Sequence, residues 1–390
     1  MNISSATTRD YECIDCACPR QWLYLFGDEG VVYSEAQNRF AGLDAAGVAA
    51  YCAFDAGAQV EDLRLVSHGY GSEAASRSLE AIHALAQGIF PNEFTDEHAE
   101  TWPDPGLAIS ATKDSTNIEI HGIPISLAYP AGPSEELCRD IFRNCARSDN
   151  PALWRLSAQP IGNGWAIYVN DRKFFSLQYE QQLGLGLMHA ARSLLYAEGK
   201  YDVAFHAAMV AVGECGVMLC APREWGKSTL AAYLVAQGFE FLADEPALLH
   251  LDTWSISPLH LPISLKQGSW PVLRSWWPQL ADAPVHLRSD GTKIRMVHPS
   301  QEGGIAQSRR LTHIVFPHYA PQSSAKVESL SLFQTLRLLD ESGMLLAKRF
   351  GRENFEAFLQ AVRRTSAYKL QYASLVEAHR MLHEIGCFAG

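Results

Sequence analysis

A chain of 390 residues, 47% of them hydrophobic, is long enough to bury at least one large core and to divide into two or three domains. Its formal net charge of −11 excludes a nucleic-acid partner held mainly through phosphate contacts, which needs clustered positive charge, and disfavours a winged-helix DNA reader. No apolar run reaches the roughly eighteen residues that cross a bilayer, and the polar start Met1 to Asp10 lacks the apolar stretch of a signal peptide, so the expectation is a cytoplasmic protein with no membrane partner.

Nine cysteines, an odd count without a secretion signal, read as reduced thiols. Cys13, Cys16 and Cys18 are spaced as zinc thiolates are, but no second pair follows to complete four ligands, and a flexible terminal segment is the simpler reading. From Trp22 the pattern is a hairpin, Trp22–Phe26 and Val31–Tyr33 around Gly27-Asp28-Glu29-Gly30, and then three helices over Leu43 to Phe54, Val60 to Leu65 and Ser72 to Ile89. Pro91 to Pro105 is polar, acidic and proline-bearing, which predicts a linker and divides the chain into a domain over 1–100 and a second over 101–390.

Beyond the linker, Ile118–Ile120, Ile123–Leu127, Leu153–Leu156 and Trp165–Val169 predict short strands, largely antiparallel, with Asn163-Gly164 as a tight turn. Then comes the most informative stretch. Gly216–Cys220 is an apolar strand; Ala221-Pro222-Arg223-Glu224-Trp225-Gly226-Lys227-Ser228-Thr229 is a phosphate loop; Leu230 to Gln237 is a helix. In that context backbone N–H groups and a helix N-terminus cradle anionic phosphates, Lys227 neutralises the β- and γ-phosphates, and the Ser228 hydroxyl ligates magnesium. The bulky Arg223, Glu224 and Trp225 replace the usual small residues, and a helix start capped by serine gives a similar sequence without any ligand.

The following strand, Phe239–Ala243, ends in Asp244-Glu245-Pro246. Two carboxylates beside a phosphate loop suit two tasks, holding the metal and accepting a proton from an acceptor hydroxyl. The expected metal ligands are therefore Ser228, Asp244 and Glu245, and the expected base is Asp244. His206 opens the strand Met209–Val212, which is expected to pair beside the loop strand; it either orients Asp244 or is structural. Lys266 ends the strand Leu261–Leu265 and is either a second cation for the phosphates or a surface lysine. In the C-terminal helices Phe355, Phe358, Leu359, Val362, Leu375, Met381, Leu382 and Ile385 form apolar faces that pack internally or between subunits, which leaves a homo-oligomer open.

His206-Ala207-Ala208, Ala221 to Thr229, Leu242-Ala243-Asp244-Glu245 and Pro262-Ile263-Ser264-Leu265-Lys266, in this order and spacing, resemble the HPr kinase/phosphorylase superfamily, in particular its HPr-kinase-related branch. The resemblance runs from about Trp154 to the C-terminus and includes Ile314-Val315-Phe316-Pro317. It implies an α/β phosphate-loop core of the kind shared with phosphoenolpyruvate carboxykinase, and MgATP-dependent phosphorylation of a serine or threonine, with Lys227 on phosphate, Ser228 on magnesium and Asp244 as base. The family has two aspartates where this chain has Asp244-Glu245. The family's glycine- and arginine-rich C-terminal signature has no counterpart here, so HPr itself is not the expected substrate.

Gly27 to Leu65 resembles the PqqD family of peptide-binding winged-helix domains, through Val31-Val32-Tyr33, Asn38-Arg39-Phe40, Leu43-Asp44-Ala45-Ala46-Gly47 and Val60-Glu61-Asp62-Leu63. Such domains hold the leader of a ribosomally made peptide as an added strand. The combined expectation is a peptide kinase whose N-terminal domain holds a precursor peptide. The alternatives are a scaffold that binds nucleotide and peptide without transfer, and a small-molecule kinase with a structural N-terminal domain.

Overall fold

The computed structural model describes residues 11–57, 115–222, 224–299, 307–347 and 350–387. The architecture is mixed α/β with several sheets, and the chain forms two compact units, Met1–Glu93 with Leu330–Arg364 and Phe94–Ser329 with Thr365–Gly390. The helices expected over 60–65 and 72–89, and the linker expected over 91–105, lie outside the described residues. Among the described residues no helix is long and apolar enough to cross a membrane.

In the first unit the expected hairpin is the centre of a four-stranded antiparallel sheet, Glu12–Asp15, Gln21–Phe26, Glu29–Ser34 and Arg39–Leu43 in sequence order. The two outer strands were not foreseen. Their turns depend on left-handed backbone at Arg20 (φ 61°) and Asn38 (φ 52°), a conformation asparagine adopts more readily than most residues. Asp44 then caps the helix Ala45–Asp55 by accepting from the Gly47 N–H at 2.9 Å. Alternation along the strands buries both faces. Leu23, Val32, Ala41 and Leu43 pack with Ala50 and Tyr51 of that helix. On the other face Tyr24, Tyr33 and Phe40 meet Phe355 of the helix Arg352–Arg364, with the Tyr33 and Phe355 rings stacked at 4.3 Å and 7°. Phe358, Leu359 and Val362 are also buried, so this apolar helix face packs within its own unit.

The second unit begins with a six-stranded sheet whose pairs are antiparallel except Ile123–Ala128 against Trp154–Ile161. The tight turn lies one residue earlier than expected. Ile161 pairs with Gly164, which leaves Gly162-Asn163 as the turn with Gly162 at φ 56°. Gly164 is needed for another reason, since a Cβ there would meet the Leu177 carbonyl oxygen at 2.6 Å.

The main sheet of this unit carries the site. Its strands Glu240–Asp244, Ala207–Val212, Cys215–Cys220 and Arg309–Tyr319 are neighbours in that order, and Arg309–Tyr319 also pairs in parallel with Ser366–Tyr372. Register decides the function of this arrangement: Ala207 faces Cys220 while Ala208 faces Asp244, so the end of the Asp244 strand lies level with the start of the phosphate loop. The helix Lys227–Ala236 covers the sheet, with Leu230, Ala231 and Leu234 fully buried among Val217, Leu219, Val315, Leu375 and Leu382. Beside it stands a three-stranded sheet, Ile263–Lys266, Lys293–Val297 and His286–Leu287.

Candidate active site

The loop between Cys220 and Lys227 ends in Gly226, whose φ of 90° needs glycine and whose Cβ position lies 2.9 Å from the Tyr372 hydroxyl oxygen. Gly226 is also the N-cap of the helix, and no side chain caps it. The serine-capped alternative is therefore not what the chain adopts. Ser228 lies inside the first turn, and its hydroxyl donates to Asp244 Oδ1 at 3.1 Å. The first-turn N–H groups and the positive end of the helix dipole thus face the cavity.

A cavity of about 490 Å³, within the range of small-ligand sites, is lined by His206, Lys227, Ser228, Asp244, Glu245 and Lys266 among others. Every residue predicted from the carboxylate, histidine and lysine positions meets there. Pro222, Glu224, Gly226 and Thr229 of the loop also line it, Ala221 is fully buried at the strand end, and Arg223 lies outside the described residues. Trp225 does not line the cavity; it stacks on His318 at 4.2 Å, and its carbonyl accepts from the Tyr319 N–H at 3.3 Å. The Trp225 ring is thus turned away from the cavity.

The two carboxylates have different environments. Asp244 is buried, accepts from Ser228 and from the Ser264 N–H at 3.2 Å, and has its backbone carbonyl bonded by Arg192 at 3.1 Å. Burial and the neighbouring Glu245 charge push its carboxyl above the usual aspartate range, against the opposing pull of Lys227 and Arg192. Glu245, at φ 47°, receives the His206 Nε2 at 2.8 Å and the Lys227 Nζ at 3.1 Å. Burial disfavours its charge, but Lys227, His206 and Arg192 together hold it well below the ordinary glutamate value. One group is thus biased towards taking up a proton, and its neighbour towards staying ionised.

Lys227 is buried and also donates to the His206 carbonyl at 2.9 Å. Lys266 is more exposed and meets Glu224 at 3.2 Å. Thr229 and Ser269 share a hydrogen bond of 2.6 Å that ties the loop helix to the turn after Lys266. Sequence reasoning missed Arg192, whose charge acts on both carboxylates. The available signal was a single arginine within the largely apolar helix Leu183–Glu198. Arg288 and Thr292, on the turn between two short strands, also line the cavity and were missed because that turn has no motif.

The donor set fits a magnesium–nucleotide complex. A hydroxyl and a carboxylate oxygen converge at Ser228 and Asp244 beside a helix N-terminus, the oxygen-rich set that this metal takes together with phosphate. Glu245 would have to leave Lys227 or His206 to join them.

No family model matches the chain, and no curated protein matches it. Among solved structures it is similar to the Hpr(Ser) kinase/phosphatase from Coxiella burnetii, at 12% identity and a TM-score of 0.23, over 46% of this chain and 98% of that one. A likeness of that extent decides neither fold nor activity, and the functional reading stands on the site geometry.

Proposed function

We propose that the chain is an ATP-dependent kinase that transfers the γ-phosphoryl group to a serine or threonine hydroxyl of a peptide or protein, the acceptor being a ribosomally synthesised precursor peptide held by the N-terminal domain. The observation that carries the reading is the Ser228 hydroxyl on the Asp244 carboxylate at 3.1 Å, next to Lys227 in the first turn of a helix with no side-chain cap. Asp244 takes the proton as the acceptor oxygen bonds to the γ-phosphorus, the bond to the ADP oxygen breaks, and Lys227 offsets charge on the phosphates. Ser228 and one oxygen of Asp244 would hold magnesium, which would neutralise phosphate charge, while the other oxygen of Asp244 takes the proton.

Peptide capture is supported by the resemblance of Gly27 to Leu65 to PqqD domains and by the sheet itself, in which Glu12–Asp15 and Arg39–Leu43 are the outer strands among the described residues, the position at which a peptide strand adds. Tethering raises the local concentration of the hydroxyl, so the catalytic cavity needs little affinity of its own for it. The test is the mass of a candidate precursor peptide after incubation with MgATP: one added phosphate on a serine or threonine is expected, with the leader segment alone acting as a competitive inhibitor. Inhibition that is absent while transfer persists removes the leader role and leaves a kinase.

One observation favours a second reading, a nucleotide- and peptide-binding scaffold without transfer. Lys227 is engaged by Glu245 and the His206 carbonyl. That reading predicts intact ATP and an unchanged peptide mass.

A further inference from the structure

We infer that Arg288 is a phosphate-contacting residue of the nucleotide cavity, delivered there by the turn between His286–Leu287 and Lys293–Val297. The inference rests on the kinase reading of the same cavity and adds to it a further cation for the nucleotide phosphates.

Three permanently cationic side chains line the cavity among the described residues: Lys227, Lys266 and Arg288. They differ in how firmly the protein already holds them. Lys227 is 6% exposed and bonded to both a carbonyl and a carboxylate. Lys266 meets a carboxylate at 3.2 Å. Arg288 comes no nearer to its counterion Asp290 than 3.7 Å, through Nε, with the two side chains 42% and 58% exposed. Ion pairs of that kind contribute little, so Arg288, like the comparably exposed Lys266, is cheaply released to an incoming anion, whereas the buried Lys227 is not. Its guanidinium carries four further N–H donors in a planar fork that matches phosphate oxygens.

The turn is built to hold this residue still. The Arg288 N–H donates to the Thr292 carbonyl at 2.9 Å, and the Gly291 N–H to the Arg288 carbonyl at 3.0 Å, with Gly291 at φ 82°. Asp290 is fixed by accepting from the Thr292 N–H at 2.8 Å. The flanking strands are anchored in turn. His286 and His298 each meet one oxygen of the buried Asp140 at 3.0 Å, and Ile294, Met296 and Val297 are buried. Arg288 is therefore presented on a rigid arm, which is how a charge-stabilising group is best held.

The experiment is equilibrium binding of ATP and of ADP, each with magnesium, to the full chain and to Arg288→Ala, Arg288→Lys and Lys227→Ala. Loss of a charged phosphate contact is expected to weaken ATP roughly tenfold in Arg288→Ala, with partial recovery in Arg288→Lys. Asp290→Asn, which removes the competing carboxylate, is expected to tighten ATP. No weakening of either nucleotide in Arg288→Ala, with Lys227→Ala still deficient, overturns the role of Arg288 and leaves the kinase reading in place. A wild-type chain that binds neither nucleotide overturns both.

Discussion

The phosphate-loop site and the aromatic layer of the N-terminal sheet are both buried, yet they are held by opposite physics. At the loop, Lys227, Ser228, Asp244, Glu245, His206 and Arg192 form a connected set of polar contacts between 2.8 and 3.1 Å. In the sheet, Tyr24, Tyr33 and Phe40 close on Phe355 through ring packing. A polar set fails when one partner is removed, because the other is left buried and unpaired. An aromatic layer fails in proportion to the volume taken out. Chemistry is therefore vulnerable at single polar contacts, and folding at buried volume.

The largest effect is expected at Asp244. Asp244→Asn keeps the shape and the acceptor for Ser228 but removes the proton acceptor, so kcat for phosphoryl transfer is expected to fall by about 10²- to 10⁴-fold in steady-state assays. Burial and Glu245 raise this carboxyl, so the native fold disfavours its charge; the amide relieves that but sets its NH2 against the Ser264 N–H, and the two effects are expected to keep the change in Tm within about a few degrees. A loss of activity accompanied by a collapse of Tm would place Asp244 with the structural residues instead.

Phe355→Ala takes the opposite side. Removing a fully buried ring between three aromatic residues is expected to cost about 3–5 kcal/mol in chemical unfolding. Gly226→Ala combines both modes: a side chain at φ 90°, with Tyr372 2.9 Å from the new Cβ, is expected to cost about 1–3 kcal/mol and to weaken nucleotide binding, read by calorimetric titration.

The smallest effect is one of pH. A raised Asp244 means that the ionised base appears only above the ordinary aspartate value of about 3.9, so the acid limb of kcat/KM is expected to lie higher than that. Glu245 has the reverse sign. Its depressed carboxyl contributes stability that is present above the ordinary glutamate value and is lost as pH falls through the folded one.

Legibility in sequence divided along the same line. The loop, the carboxylate pair, His206 and Lys266 could be read because each lies at the end of a strand whose apolar run is continuous, and pairing of those strands brings their ends together. The strand before the loop and the helix after it were read to within a few residues. Arg192 and Arg288 could not be placed, since their partners are fixed by tertiary packing and their own surroundings in sequence carry no spacing signal. In the N-terminal sheet the hairpin was visible as alternation, but the strands Glu12–Asp15 and Arg39–Leu43 depend on positive φ at Arg20 and Asn38. Phe355 was recognised only as part of an apolar helix face. Its place against Tyr33, more than three hundred residues away, has the Leu330–Arg364 segment in one unit with the sheet, whereas the sequence grouped that segment with the loop.

The most direct measurement is transfer of label from γ-labelled ATP to peptide under single-turnover conditions, with the wild-type chain, Lys227→Ala and Asp244→Asn compared at equal nucleotide occupancy. The account predicts labelled serine or threonine with the wild type, and a rate lower by at least about a hundredfold in both variants. Transfer by Asp244→Asn at the wild-type rate, with nucleotide bound equally, would contradict it.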